Sequence, residues 1–520
     1  MIRPFLCLLL AVATAGNSRA DDGLGDISFP TSGAPAAQPA FLEGVKALHS
    51  FQFDEARVAF QRARQTDPDF AMAHWGEAMS LNKPLWRLQD TDEARRVLAS
   101  LAPTLEGRLA RAGDDRERAW LAAVDLLFHG PADKLERDLA YSAAMGAMHE
   151  RWPDDDEIAV FYALSILGTM RPGDTGYRRQ ARAAAVCLDV FARNPRHPGA
   201  AHFIIHSFDD PEHAVLALPA ARVYAGIAPA AAHALHMPSH IFLQLGLWQD
   251  VVASNTEAYA AAVELNRRMN LPEGREDFHT LSWLAYGNLM LGRVEAAADN
   301  LGLARAAVAR NPGERRTEAR YFDIEARHYI ETGRWPELGL ASIDSVAGSH
   351  PNRVALVGMS AARRGDFATA AAARERLLAL GAAAAEDYER RRVGVLERQV
   401  AALAAMGRGD ESAALEFAAA AVAGENTLGI PSGPPDPIKP AGELYGELLF
   451  EAGRAAEAAA AFEQALERMP RRTPSLAGLA RAAERAGDSE TAEAAYASLA
   501  TMPGLQPDSA LQREARERLD

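Results

Sequence analysis

The 520-residue chain sets 55 Lys and Arg against 70 Asp and Glu, a formal charge of −15, and contains no basic run. It therefore lacks the positive footprint that nucleic acid or an anionic membrane surface would need. Two cysteines exclude a disulfide framework, and about 500 residues exceed one ordinary globular core, which points to several domains or a repeat array.

The opening segment, MIRPFLCLLLAVATAGNSRA, combines Arg3, an apolar run from Phe5 to Ala15 and a small-x-small ending at Ser18-Arg19-Ala20. This is the pattern of a cleaved signal peptide (residues 1–20), with Asp21 the expected mature start and a bacterial periplasm the expected destination. The run is shorter than the ~20 residues that span a bilayer. Cleavage removes Arg3 and Arg19, taking the charge from −15 to −17, and removes Cys7, leaving Cys187 without an intramolecular partner. Residues 21–36, DDGLGDISFPTSGAPA, read as a flexible leader.

From residue 37 the periodicity is helical nearly everywhere. In FLEGVKALHSFQFDEARVAFQRARQTDPDF, Gly44 precedes Ala56, Phe60, Ala63 and Pro68. Near the other end, Gly446, Ala458, Phe462, Ala465 and Pro470 stand at identical intervals, and Ala480, Ala492 and Tyr496 repeat most of the pattern. Small residues let two antiparallel helices approach, an aromatic fills the gap, and proline ends the second helix. These residues resemble the tetratricopeptide repeat (TPR). The resemblance implies an all-α, right-handed superhelical solenoid of antiparallel helix pairs, and binding or scaffolding as the usual role. Further turns of this kind fall at Gly246, Gly292, Gly333 and Gly365. The expected organisation is a 37–200 region of repeat-like and irregular helices (85–200 without a clean register), a central 201–423 region, a 424–440 loop and 441–520 as C-terminal repeats.

Seven of the fourteen histidines fall between His197 and His240. In the family, the first helix of each repeat lines a concave groove, and side chains about 13, 10, 6 and 3 positions before the turn share one face. Counting back from Gly246 gives His233, His236 and His240; counting back from Gly292 gives His279. If Asp209 marks the preceding turn, His206 faces the groove and His202 sits near its edge. The i,i+4 pairs His202/His206 and His236/His240 suit one ion held from a single helix, since neutral imidazole is a common metal ligand. An all-imidazole set suits Zn(II) or Cu(II), whereas non-haem iron usually wants a carboxylate. Against this, a single histidine on a helix is more often a core or surface residue, and His197 and His213 are expected at the surface. Pro238 is expected to kink the helix or to start a shorter one that leaves His233 and His236 in a loop, and Pro219 to kink the helix before it. Asp209 and Asp210 read first as a helix cap and second as acceptors behind an imidazole N–H. His74 is ambiguous, with Glu77 or Asn82 brought near the cluster only in a tightly wound solenoid.

The same count places Arg320, Asp323 and Arg327 on the groove face before Gly333, and Glu443 and Glu447 before Gly453. The arginines suit a carboxylate or a peptide terminus, or else an internal ladder with Asp323; the glutamates and Lys439 are expected to be solvated. Residues 424–440, with five prolines and three glycines, interrupt the helices as a connector or as a flap over the groove. There is no nucleophile elbow, phosphate loop or HExxH motif. Three readings stand: an exported solenoid that binds a protein, peptide or small ligand beside a histidine-lined metal site; a metal-dependent hydrolase or oxidoreductase; and a metal-free scaffold.

Overall fold

Small residues set the spacing of the helix pairs. In the first pair, Gln38–His49 and Phe53–Thr66, a β-carbon on Gly44 would come within 2.7 Å of the Phe60 ring. Phe462, on Ala455–Arg468, closes equally on Gly446 of Ala441–Glu451, where the same contact would be 3.0 Å. The five glycine turns read from the sequence, Gly246, Gly292, Gly333, Gly365 and Gly453, all have φ between +63° and +80°, a left-handed conformation that favours glycine. The computed structural model describes residues 22–520 except 132, 172, 173, 175, 271–276, 344–349 and 508, so the expected signal peptide lies outside the described residues.

The result is an all-α solenoid of hairpins that pack in chain order. The 85–200 stretch continues the pattern. Asp115–His129, Lys134–Arg151, Asp156–Gly168 and Arg178–Arg193 pack successively, the first three started by Asp114, Asp133 and Asp155, whose side chains accept first-turn backbone N–H groups. A two-stranded antiparallel ribbon, Asn82–Lys83 with Leu88–Gln89, interrupts it. Among the described residues no helix is long and apolar enough to cross a membrane.

The leader differs from expectation. It has no helix, yet Phe29 is buried against Phe41, Trp75 and Trp120, and Asp26 N–H donates to the Arg196 carbonyl. One aromatic side chain finds a finished apolar pocket, and its burial is worth about 2 kcal/mol or more.

The winding is tight. The first helix pair meets Pro198–Ser207, and the C-terminal repeats return to the centre: Trp248 Nε1 donates to the Arg471 carbonyl at 2.8 Å, and Thr473 Oγ1 donates to the Met290 carbonyl. The Pro/Gly loop, which begins after Glu411–Glu425, enters the concavity. Its Pro431 carbonyl accepts from Gln244 and its Pro435 carbonyl from Arg327.

Candidate metal centre

The histidines are aimed by a broken helix and its two neighbours. His202 and His206 sit one turn apart on Pro198–Ser207. His233 and His236 lie on Ala232–His236, His240 lies on Pro238–Gln244, and the chain turns between them at Met237. Proline at the first position of the second segment sacrifices no needed N–H. Met237 keeps helical dihedrals (φ −56°, ψ −35°) between the two segments, so His233 and His236 stay helical and the loop alternative is not what the chain adopts. Pro219 lies inside the continuous helix Ala214–Ile227. His279 opens the next groove helix, Phe278–Met290.

These six side chains form two adjacent triads, His202/His206/His233 and His236/His240/His279, in each of which one ligand atom per residue lies within 4.8 Å of the others. Ring centres of His206 and His240, one from each triad, are 6.2 Å apart, as are those of His233 and His236. His202, His236 and His240 are buried, while His206, His233 and His279 are half-buried.

Hydrogen bonds from behind fix the tautomers. His202 Nδ1 donates to the His49 carbonyl at 2.6 Å, and His240 Nδ1 bonds Asp209 Oδ2 at 2.6 Å. His236 Nδ1 bonds Asn255 Oδ1 at 2.7 Å, while the Asn255 amide donates to the Val251 carbonyl, so the oxygen must face the imidazole. A neutral imidazole with its proton on Nδ1 presents a bare lone pair at Nε2. His236 Nε2 lies 3.2 Å from His240 Nε2 and 3.1 Å from His279 Nε2, and His202 Nε2 lies 3.2 Å from His233 Nε2. His206 Nε2 is buried without a hydrogen-bond partner. Burial, with neighbouring imidazoles, pushes His202 and His236 down to about 3 and His206, His233 and His279 well below their ordinary range, so these five rings are neutral and each keeps one nitrogen lone pair for a cation.

One aromatic ring covers each triad. Phe51 lies 4.4 Å from the His202 ring and 5.5 Å from His233; Trp283 lies 4.4 Å from His240 and 5.0 Å from His236. Phe51 takes φ +53°, a strained value for a bulky residue, held by its surroundings.

Asp209 therefore stands behind His240, as its second reading held. Asp210 does not reach the triads; it accepts the backbone N–H of Glu212 and His213 and the His213 ring. His213 is half-buried, and His197 is fully buried, contrary to the surface expectation. His197 and His49 hold Glu157 between their Nε2 atoms at 3.2 and 2.8 Å. This third cluster also has metal-ligand spacing, but its protons argue otherwise. His197 Nδ1 accepts the Ala200 N–H, so its Nε2 carries the proton of a neutral ring and points it at Glu157. Glu157 is thus a bracket that anchors His49, whose carbonyl in turn holds His202. His74 lies elsewhere, against the Pro68 and Val97 carbonyls, and Glu77 is engaged by Arg57, Gln61 and Arg64, so neither joins the centre. Asn82 instead lines a cavity beyond Phe51.

Much of the remaining groove face is internal. Arg327 is buried under the Pro-rich loop, whereas Arg320, paired with Asp323, remains exposed. Glu443 is fully buried rather than solvated. It meets Lys439 at 2.6 Å and Arg472 at 2.7 Å, and Arg472 also meets Glu331 at 2.6 Å. Burial would push the Glu443 carboxyl up, yet the two cations hold it well below the usual carboxylate range. Glu447, partly exposed, joins Lys439 at the edge of a polar cavity of about 470 Å³ lined also by Glu331, Trp335, Met359 and Arg363.

Sequence reasoning missed His49, Phe51, Asn255, Trp283 and Arg472. Asn255 carried a usable signal: it interrupts the apolar stripe Trp248, Val251, Ala258, Ala262 at helical spacing. His49 and Phe51 carried none, because only the winding brings them to His202.

Stacked hairpins with small-residue contacts and glycine turns define an α-solenoid of the helical-repeat class. Residues 449–519 match the family described as tetratricopeptide repeat. No curated protein matches the sequence. Solved structures similar to it include a tetratricopeptide repeat protein from Parabacteroides merdae (13% identity, 55% of this chain and 98% of that one, TM-score 0.33). Others are the APC/C hetero-tetramer Cut9–Hcn1 (11%, 94% and 97%, 0.33) and a monomeric IFIT1 mutant with Gppp-AAAA (15%, 86% and 90%, 0.35).

Proposed function

We propose that this chain is an exported TPR solenoid that holds two metal ions, zinc or copper, side by side, one in each histidine triad. The observation that carries the reading is the set of buried Nε2 atoms facing one another at 3.1–3.2 Å, with Nδ1 of His202, His236 and His240 fixed as the donor behind. A neutral imidazole keeps one nitrogen lone pair, and an ion shared by each triad would take up three of them. Three protein ligands per ion leave a position for water or a ligand, which favours chemistry or ligand binding at the metal over a purely structural role. The buried commitments of Arg327 and Glu443 disfavour an extended peptide along that part of the groove. A small ligand in the cavity beside Lys439 and Glu447 suits it better.

The test is metal content in tag-free protein reconstituted separately with zinc and with copper and freed of excess by gel filtration. Two equivalents per chain are expected, falling to about one in His279→Ala and in His202→Ala. Retention of fewer than 0.5 equivalents by the folded wild-type chain with either metal would overturn the reading.

A further inference from the structure

We infer that the pair of sites takes copper and that the reduced pair binds one dioxygen molecule between its two ions; this rests on the two-metal reading above. The first argument is charge. All six ligands are neutral imidazoles, and among the described residues Asp209 is the one carboxylate hydrogen-bonded to a ring nitrogen of the six. Two dications beside one another repel four times as strongly as two monocations at the same distance. Of the two metals that an all-imidazole shell suits, copper alone has an accessible monovalent state. When both ions are divalent, the centre requires an anion between them, because the protein supplies none there. Peroxide, formed by the electrons the two ions give up, is such an anion.

The second argument is the surroundings. The triads are covered by Phe51 and Trp283, and Phe51 also lines a cavity of about 30 Å³ whose mainly apolar wall, with Leu48, Met79 and Phe161, includes Asn82, Asp138 and Ser165. A small neutral gas partitions into such a space, whereas a charged substrate does not. His206, His233 and His279 are half-buried, whereas His202, His236 and His240 are buried. Asn255, Asp209 and the His49 carbonyl bond the Nδ1 atoms of His236, His240 and His202 and so orient these ligands from behind.

The step balances without a proton. Each copper(I) gives one electron, dioxygen takes two and becomes peroxide, and peroxide oxygens bond to both ions, which are left as copper(II). No bond to the protein forms or breaks other than at the metals, and the O–O bond is weakened but kept. The reverse step returns dioxygen and two copper(I).

The experiment loads the full-length, tag-free protein with two equivalents of copper(I) under argon and then admits dioxygen. Expected are one dioxygen taken up per two copper ions and an intense near-ultraviolet charge-transfer band. The copper(II) pair should give no paramagnetic resonance signal, because its spins couple through the bridge. The O–O stretch should shift when oxygen-18 is used. His279→Ala, expected to keep one copper, should lose at least ninety per cent of the uptake (at least tenfold), as a single ion cannot supply both electrons. Two bound coppers that give two independent paramagnetic ions and no uptake would overturn this inference and leave the two-metal reading standing. The same holds if two zinc ions bind and copper is refused. Retention of no metal by the folded chain would sink both.

Discussion

His236 Nε2 and His240 Nε2 face one another at 3.2 Å, and each ring is held from behind at its Nδ1, by Asn255 and by Asp209. Two ring nitrogens this close, on rings anchored from behind, are placed to share one cation. The consequences reach from the backing residues to the far side of the solenoid.

Asp209→Ala removes the acceptor that keeps the His240 proton on Nδ1. It should weaken metal retention in the triad containing His240 by roughly 10- to 100-fold while leaving the other triad unchanged. Competition against a chromophoric chelator resolves the two equivalents, and a uniform loss from both would contradict independent triads.

Glu157 responds to acid. Burial alone would raise its carboxyl, but His49 and His197 bring it from an ordinary 4.5 to about 2. Because the folded value is the lower one, its contribution is complete above pH 4.5 and is lost as the pH falls toward 2. Acid unfolding of Glu157→Gln, followed by circular dichroism, should lack this segment of the pH dependence. The amide also places an N–H against a donor, so the variant should already be less stable at neutral pH.

Arg472→Met strands Glu443 and Glu331, which the guanidinium now joins, and should cost about 3–5 kcal/mol. The triple change with Glu331→Gln and Glu443→Gln should recover part of that loss, since the penalty comes from unpaired buried charge. Urea midpoints of the three proteins decide it, and an Arg472→Met variant as stable as the parent would contradict the network.

Phe51→Gly relieves a strained φ of +53° but removes the ring that covers His202 and His233. The lost packing, of about 3–5 kcal/mol for a buried phenylalanine, should exceed the ~1–3 kcal/mol of backbone relief. The variant should therefore melt lower and exchange its metal faster, as stopped-flow transfer to a chelator would record.

The repeats were readable because their contacts are local. Gly44 with Phe60 and Gly446 with Phe462 recur at one spacing, and the glycine turns announce themselves by residue type. The convergence of His233, His236, His240 and His279 followed from counting back to those turns. What joined them from afar did not follow. The carbonyl of His49 reaches His202 across 153 positions, and Arg472 reaches Tyr286 across 186, distances set by how tightly the hairpins wind rather than by any local pattern. The solvated expectation for Glu443 failed nearer home: Lys439 reaches it from four residues upstream and Arg472 from the next hairpin, which together bury the carboxylate.

The most direct measurement is anomalous diffraction from a crystal of the metal-loaded protein, collected on both sides of the metal absorption edge. Two adjacent peaks are expected, one among His202, His206 and His233 and the other among His236, His240 and His279, each bonded through ring nitrogen. Metal peaks confined to surface side chains, with the six imidazoles still facing one another unligated, would contradict the two-metal centre.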